Sequence, residues 1–285
     1  MKNFNNLSKL FRYVNENGDS ITFDFFGGYL INKPNGIDTV SVNLGTAIGI
    51  NQAGVIVQTK HVQARPVNIT GYLVGDNQAA NKERLLSVIR PDLKGRLYAD
   101  DFYLSVYPTA TPTIEPKKWG AQFQLTLNAV YPYWIQDSTQ TATLVGVAKR
   151  FKFPWNISRA YRFGKVVQAK FINIRNSGQT AVPCTITFRA LDAVETPWLE
   201  DAKSDRTLKL NKSLVTGEIV TIEVTYERIN VTSTVDGECR GALDIASNLF
   251  ELQTGDNVWK PGAESGLENL QIDVMYSNEK AGISV

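Results

Sequence analysis

A single histidine, His61, and two cysteines, Cys184 and Cys239, are all that this chain offers for imidazole and thiol chemistry. Three such residues cannot supply the usual nitrogen and sulfur ligand sets of zinc within one chain. A serine or thiol triad would need His61 as its base. That residue sits in the strand-like run VQTKHVQARPV (57–67) with no nucleophile motif beside it, so it reads as a surface or interface histidine. Glycan hydrolysis asks for less, only two carboxyl groups about 5 to 10 Å apart. Asp100-Asp101, Asp192 with Glu195, Glu200 with Asp201, and Asp236 with Glu238 are the available pairs. Asp236 and Glu238 flank a hairpin glycine, and Glu200-Asp201 adjoins Lys203, Asp205 and Arg206, so solvated turns and charged loops account for them. The same acidic loops lack the spacing of an EF-hand. We therefore expect no catalytic residue, no metal and no cofactor.

Aromatic side chains are the remaining chemical resource. Trp119, Trp134, Trp155, Trp198 and Trp259 can stack on sugar rings, anchor a protein interface, or close the ends of a core. Trp155 and Trp198 are the candidates for contact with a sugar or a partner. Phosphate chemistry has no foothold. There is no Gly-x-x-x-x-Gly-Lys-Ser/Thr loop, Gly27-Gly28 lacks the third glycine and the helix of a dinucleotide site, and no Gly-x-Ser-x-Gly elbow occurs.

Charge narrows the partners. The 285 residues carry 30 Lys and Arg against 28 Asp and Glu, a formal net charge of +2. Binding to nucleic acid or to an anionic membrane through bulk charge is excluded at that balance. We expect no nucleic-acid readout and no membrane insertion. No run approaches the ~18 apolar residues of a spanning helix, and the first residues lack a signal-peptide core. Two distant cysteines fit synthesis in a reducing compartment.

The elements that would position these residues are mostly strands. Apolar residues alternate at Val40, Val42 and Leu44, at Phe102, Leu104 and Val106, and at Phe123, Leu125, Leu127 and Ala129. The pattern returns at Val182, Cys184, Ile186 and Phe188, at Val220, Ile222, Val224 and Tyr226, and at Leu270, Ile272, Val274 and Tyr276. Period-two alternation of this kind marks strands with one buried face. Asn17-Gly18 and Asp236-Gly237 suit tight hairpins, and Asn35-Gly36, Lys94-Gly95 and Thr216-Gly217 mark further reversals. One helix is predicted over 77–90, with Leu85, Leu86 and Ile89 as its apolar stripe, Asp76 or Asn77 as cap, Arg84 and Arg90 toward its end, and Pro91 as stop. Pro108, Pro112 and Pro116 make 108–120 a protruding loop or hairpin tip. The polar run 136–143 places a domain boundary near 138, giving domains 1–138 and 139–285.

Several ordered motifs resemble the phage distal tail protein family, found in long, flexible-tailed phages and prophages chiefly of Gram-positive hosts. They begin with Arg65-Pro-Val-Asn-Ile-Thr-Gly-Tyr-Leu73, then Asn81-Lys82 and Leu85-Leu86 in the helix, Lys94-Gly95-Arg96-Leu97-Tyr98, and strand 121–129 running into Tyr131-Pro132-Tyr133-Trp134. Asn176-Ser177-Gly178, Gly217-Glu218-Ile219-Val220 and Leu249 to Asn257 continue the series. Glu223 and Thr254 depart from it, standing where the family often has Asp and Pro. The resemblance implies a mainly β chain, with an N-terminal β-domain bearing one α-helix and a C-terminal galectin-like antiparallel β-sandwich. It implies a non-enzymatic virion protein at the tail tip, made and assembled in the bacterial host cytoplasm. Its partners would be itself, as a homohexameric ring single or paired, the tail tube protein, the tail-associated tip protein, and receptor-binding or baseplate proteins. The alternative left open by the aromatic residues is a carbohydrate-binding β-sandwich module that contacts the host cell wall.

Overall fold

The structure is a computed structural model and describes residues 10–48, 50, 53–118, 120–149, 164–168, 171–225, 228–249 and 251–284. The chain divides into two compact units, one made of Met1–Ser138 with Glu279–Val285 and the other of Thr139–Asn278. The expected mainly β architecture is found, with a single α-helix among the described residues.

In the first unit, β1 (Phe11–Asn15) and β2 (Ser20–Phe23) form a hairpin around Asn17-Gly18, where Gly18 takes φ +90°. β3 (Tyr29–Ile31), β4 (Val42–Ala47), β5 (Ile56–Val62) and β6 (Arg65–Leu73) follow, then α1 (Gln78–Val88). The remainder is β7 (Gly95–Ala99), β8 (Phe102–Pro108), β9 (Thr113–Lys117), β10 (Gly120–Ala129) and β11 (Trp134–Gln136). The main sheet runs β2-β1-β7-β8-β10-β6-β3, and the named strand pairs are antiparallel. Alternation locates its core. Val67, Ile69 and Leu73 of β6 face the same interior as Phe123, Leu125, Leu127 and Ala129 of β10.

Three local expectations need correction. The helix is shorter than 77–90 and its stripe is Leu85, Val88 and Ile89, while Leu86 is 37% exposed. At 100° per residue, positions three and four after Leu85 lie above it and the adjacent position does not. Asn77 makes no side-chain cap, and Arg90, beyond the helix end, pairs with Asp92 at 2.5 Å. Gly95 is not a turn residue. It opens β7, and a Cβ there would lie 2.3 Å from the Tyr13 hydroxyl, so the position is glycine for space. The proline-rich segment is largely strand, since Pro108 closes β8 and Pro116 lies in β9, which pairs only with β10 among the described residues. An edge strand is where a proline without an N–H donor is tolerated.

The second unit comprises β12 (Gln140–Thr143), β13 (Val145–Lys149), β14 (Gly164–Gln168), β15 (Ile172–Asn176), β16 (Cys184–Ala190) and β17 (Trp198–Asp201). It continues with β18 (Arg206–Lys209), β19 (Ile219–Val224), β20 (Ile229–Ser233), β21 (Gly237–Glu238), β22 (Gly255–Gly262) and β23 (Leu270–Tyr276). A six-stranded sheet, β12-β23-β16-β19-β20-β21, and a four-stranded sheet, β15-β22-β17-β18, share one core. Cross-strand neighbours build it: Ile186 stands between Ile222 and Val274, and Phe188 between Val220 and Ile272. Trp259, Leu199, Leu208 and Ile174 fill it from the other sheet. Tyr226 and Phe250, named in the sequence patterns, fall outside the described residues.

The chain then re-enters the first unit as β24 (Glu279–Lys280), which pairs with β11 through Trp134↔Lys280 and Ile135↔Glu279. The residues from Glu279 onward thus sit with the first unit, not with the second domain that the sequence extends to 285. Ile283 is buried in the first core. The Ile37 carbonyl accepts from the Arg65 guanidinium at 3.0 Å, from Trp134 Nε1 at 3.0 Å and from the Ile283 N–H at 3.3 Å.

Candidate functional site

The residues with chemical potential are scattered. His61 is exposed on β5 opposite Asn43. Cys184 is buried, and burial pushes its thiol up to about 12. A thiol that stays protonated is a poor nucleophile. Cys239 is half-buried and is also held above its ordinary value by burial. No three His, Cys, Asp or Glu side chains among the described residues come together as metal ligands do. No helix among them is long and apolar enough to cross a membrane.

Most of the candidate carboxylates have structural partners. Asp192 accepts from the Thr216 hydroxyl at 2.9 Å, and Glu195 from Ser265 at 2.8 Å. Glu200 and Asp201 lie in β17, not in a charged loop as the sequence suggests. Glu200 pairs with Lys260 at 3.5 Å, and buried Asp201 accepts from the Lys203 N–H and the Ser204 hydroxyl. Asp236 shares Lys212 with Glu218. Burial raises the Glu218 carboxyl, but Lys212, Ser233 and the Val215 N–H outweigh it and leave it below its usual range. The stretch Gly217-Glu218 is therefore an ionic post at the start of β19. Asp100 adopts φ +51° between β7 and β8, as turn residues do.

Of the tryptophans, Trp134 and Trp259 are fully buried, while Trp119 and Trp155 lie outside the described residues. Trp198 is half-buried on β17, with its indole against Gly262 of β22, where a Cβ would meet the ring at 2.1 Å. Of the two candidates for sugar or partner contact, Trp198 alone is among the described residues.

What stands out instead is a surface. β4 and β5 form their own two-stranded sheet, bulged at Gly45/Thr46, and among the described residues no further strand pairs with it. The sequence predicts one buried face at Val40, Val42 and Leu44, yet Val42 and Leu44 are exposed, as are Val55, Ile56 and Val57. Ile48 is 82% and Ile50 97% exposed near the turn. The alternation does mark a strand. It cannot say what covers the strand, because a hairpin that completes its core against another chain has the same pattern as one that completes it at home. A lone hairpin is at best marginally stable in water, and seven apolar side chains on one projection mark an interaction surface.

Residues 177–279 match the family described as the siphovirus-type tail component, C-terminal domain. The matched stretch lies almost wholly in the second unit. No curated protein gives a significant match. Among solved structures, the chain shares its fold with the Dit protein of phage SPP1. That crystal structure is described as a paradigm of the hub adsorption apparatus in phages infecting Gram-positive hosts, with a TM-score of 0.69 and 12% identity over 94% of this chain and 98% of that one. A chain of the phage P2 baseplate, in its activated conformation with Ca, gives a TM-score of 0.50 and 10% identity over 97% and 100%. The resemblance to distal tail proteins drawn from Arg65 to Asn257 is thereby borne out, as is the fold class it implied.

Proposed function

We propose that this protein is a non-enzymatic hub component at the distal end of a siphophage tail. Its first unit closes a homohexameric ring. That ring joins the tail tube protein to the tip protein and to receptor-binding or baseplate proteins. The protein is made and assembled in the host cytoplasm and resides in the virion tail tip.

The exposed β4–β5 hairpin is the observation that carries this reading. A ring subunit meets its neighbours through two different patches in a head-to-tail contact that closes, and a projecting apolar hairpin is a suitable half of such a contact. A net charge of +2 lets several copies approach without strong mutual repulsion. The SPP1 and P2 relatives, described as hub and baseplate proteins, support the placement at a tail tip.

The test is a charge introduced on the hairpin. Leu44→Asp with Val57→Asp replaces two exposed apolar side chains, so the fold is expected to survive with an unchanged circular dichroism spectrum. Light scattering is expected to show wild-type hexamers and monomers of the variant. A variant that still forms hexamers removes the hairpin from the ring contact.

The carbohydrate reading has one observation in its favour. Trp198 is the described tryptophan that reaches the surface, and its indole lies on a glycine with no protein acceptor for Nε1 among the described residues. Calorimetry with cell-wall saccharides, wild type against Trp198→Ala, decides it. Heat of binding that the substitution abolishes supports a sugar platform, and equal traces dismiss it.

A further inference from the structure

The outer face of the first unit's sheet carries a feature that the ring proposal does not use. β1, β7 and β8 turn Phe11, Tyr13, Leu97, Leu104 and Val106 inward, so Arg12, Arg96, Tyr98, Tyr103 and Tyr107 share the opposite face. On that face the cations lie over tyrosine rings. The Arg12 guanidinium is 4.8 Å from the Tyr98 centroid, that of Arg96 is 4.8 Å from Tyr103, and Lys94 Nζ is 5.5 Å from Tyr107. Tyr98 and Tyr103 are themselves in contact, with centroids 5.6 Å apart. Among the described residues neither Arg12 nor Arg96 forms an ion pair.

We propose that this face is a docking surface for a carboxylate-rich segment of a partner protein. Charge complementarity selects that occupant. Arg96 shares a side-chain hydrogen bond with Tyr98 and has Asp137 nearby, but a guanidinium has five N–H donors, and the edge left outward by ring stacking matches a carboxylate. The tyrosine floor holds the side chains in place before binding, which lowers the ordering cost of association. The rings already have cations above them, so they offer no open platform for stacking bases, the usual grip on single-stranded nucleic acid. Three cations on a chain of net charge +2 also neutralise too few phosphates for tight duplex binding at physiological salt. This surface does not depend on the ring, and either can fail while the other stands.

Fluorescence anisotropy with a labelled oligoglutamate peptide tests it on the full chain, with short duplex DNA as the competing probe. Peptide binding is expected, weakening as salt rises. Arg12→Gln with Arg96→Gln is expected to weaken it about tenfold or more, the loss of at least one charge-assisted pair. Lys260→Gln, on the second unit, is expected to leave it unchanged. Both arginines are exposed, so the double variant is expected to keep its wild-type melting profile to within a few degrees. Three results would overturn the proposal: no peptide binding at low salt, equal binding by the double variant, or tighter binding of the duplex than of the peptide.

Discussion

Trp134→Ala is expected to destabilise the first unit by about 3–5 kcal/mol, the usual cost of emptying a fully buried large aromatic site. Trp134 is 0% exposed and sits where β11 meets both β8 and β24. Its indole N–H donates to the Ile37 carbonyl, which also receives Arg65 and Ile283. Truncation therefore opens a cavity and removes one of the donors gathered on that carbonyl, at the place where the returning segment is held. The second unit has a separate core around Trp259 and Phe188, so it is expected to keep its own unfolding transition. Denaturant unfolding followed by circular dichroism and by tryptophan fluorescence reads both. Trp259→Ala is expected to give the reverse pattern. Equal weakening of both units by either substitution would contradict the division into two cores.

Glu279→Gln is expected to stabilise the first unit at pH 8 by up to about 3 kcal/mol and to change little at pH 4. Glu279 is 1% exposed, paired in β24, and accepts a hydrogen bond from the Tyr131 hydroxyl at 2.5 Å. Burial pushes its carboxyl up to about 7, against an ordinary value of 4.5, and the Tyr131 bond pulls the other way without prevailing. Below pH 4.5 the group is neutral in both folded and unfolded chains and costs nothing. As pH rises from 4.5 to about 7 the unfolded chain releases its proton first, and stability falls throughout that window. Above about 7 the folded protein is ionised too and the full cost stands, each tenfold difference in proton affinity between the folded and unfolded chains being worth about 1.4 kcal/mol. The difference between wild-type and variant unfolding free energies, measured from pH 4 to 8, isolates this group from all others. A difference that stays flat across the window would show that Glu279 is solvated in the folded protein.

These two sites also show how much of the fold is legible in the sequence. The strand 120–129 announces itself, because Phe123, Leu125, Leu127 and Ala129 alternate with polar residues and one face is covered by the chain's own core. The Asn17-Gly18 hairpin is equally plain from its turn chemistry. The clasp of Glu279 on β11 is not, since pairing across so long a stretch of sequence leaves no local pattern. Gly95 looks like a turn because sequence cannot distinguish a glycine chosen for positive φ from one chosen to make room for Tyr13. The surfaces are the least visible of all. Val42 and Leu44 look like core residues, and Arg12, Arg96, Tyr98 and Tyr103 assemble only when three strands are laid side by side. The two cysteines that the sequence offers as nucleophiles are both held above their ordinary pKa by burial, which composition alone does not show.

Particle shape tests most directly whether this chain builds a ring of identical subunits at a tail tip. Negative-stain electron microscopy of the purified protein, with class averages viewed along the particle axis and mass from light scattering, is expected to show closed sixfold rings, single or stacked in pairs. A strict monomer at high micromolar concentration, or open polymers of indefinite length, would contradict it.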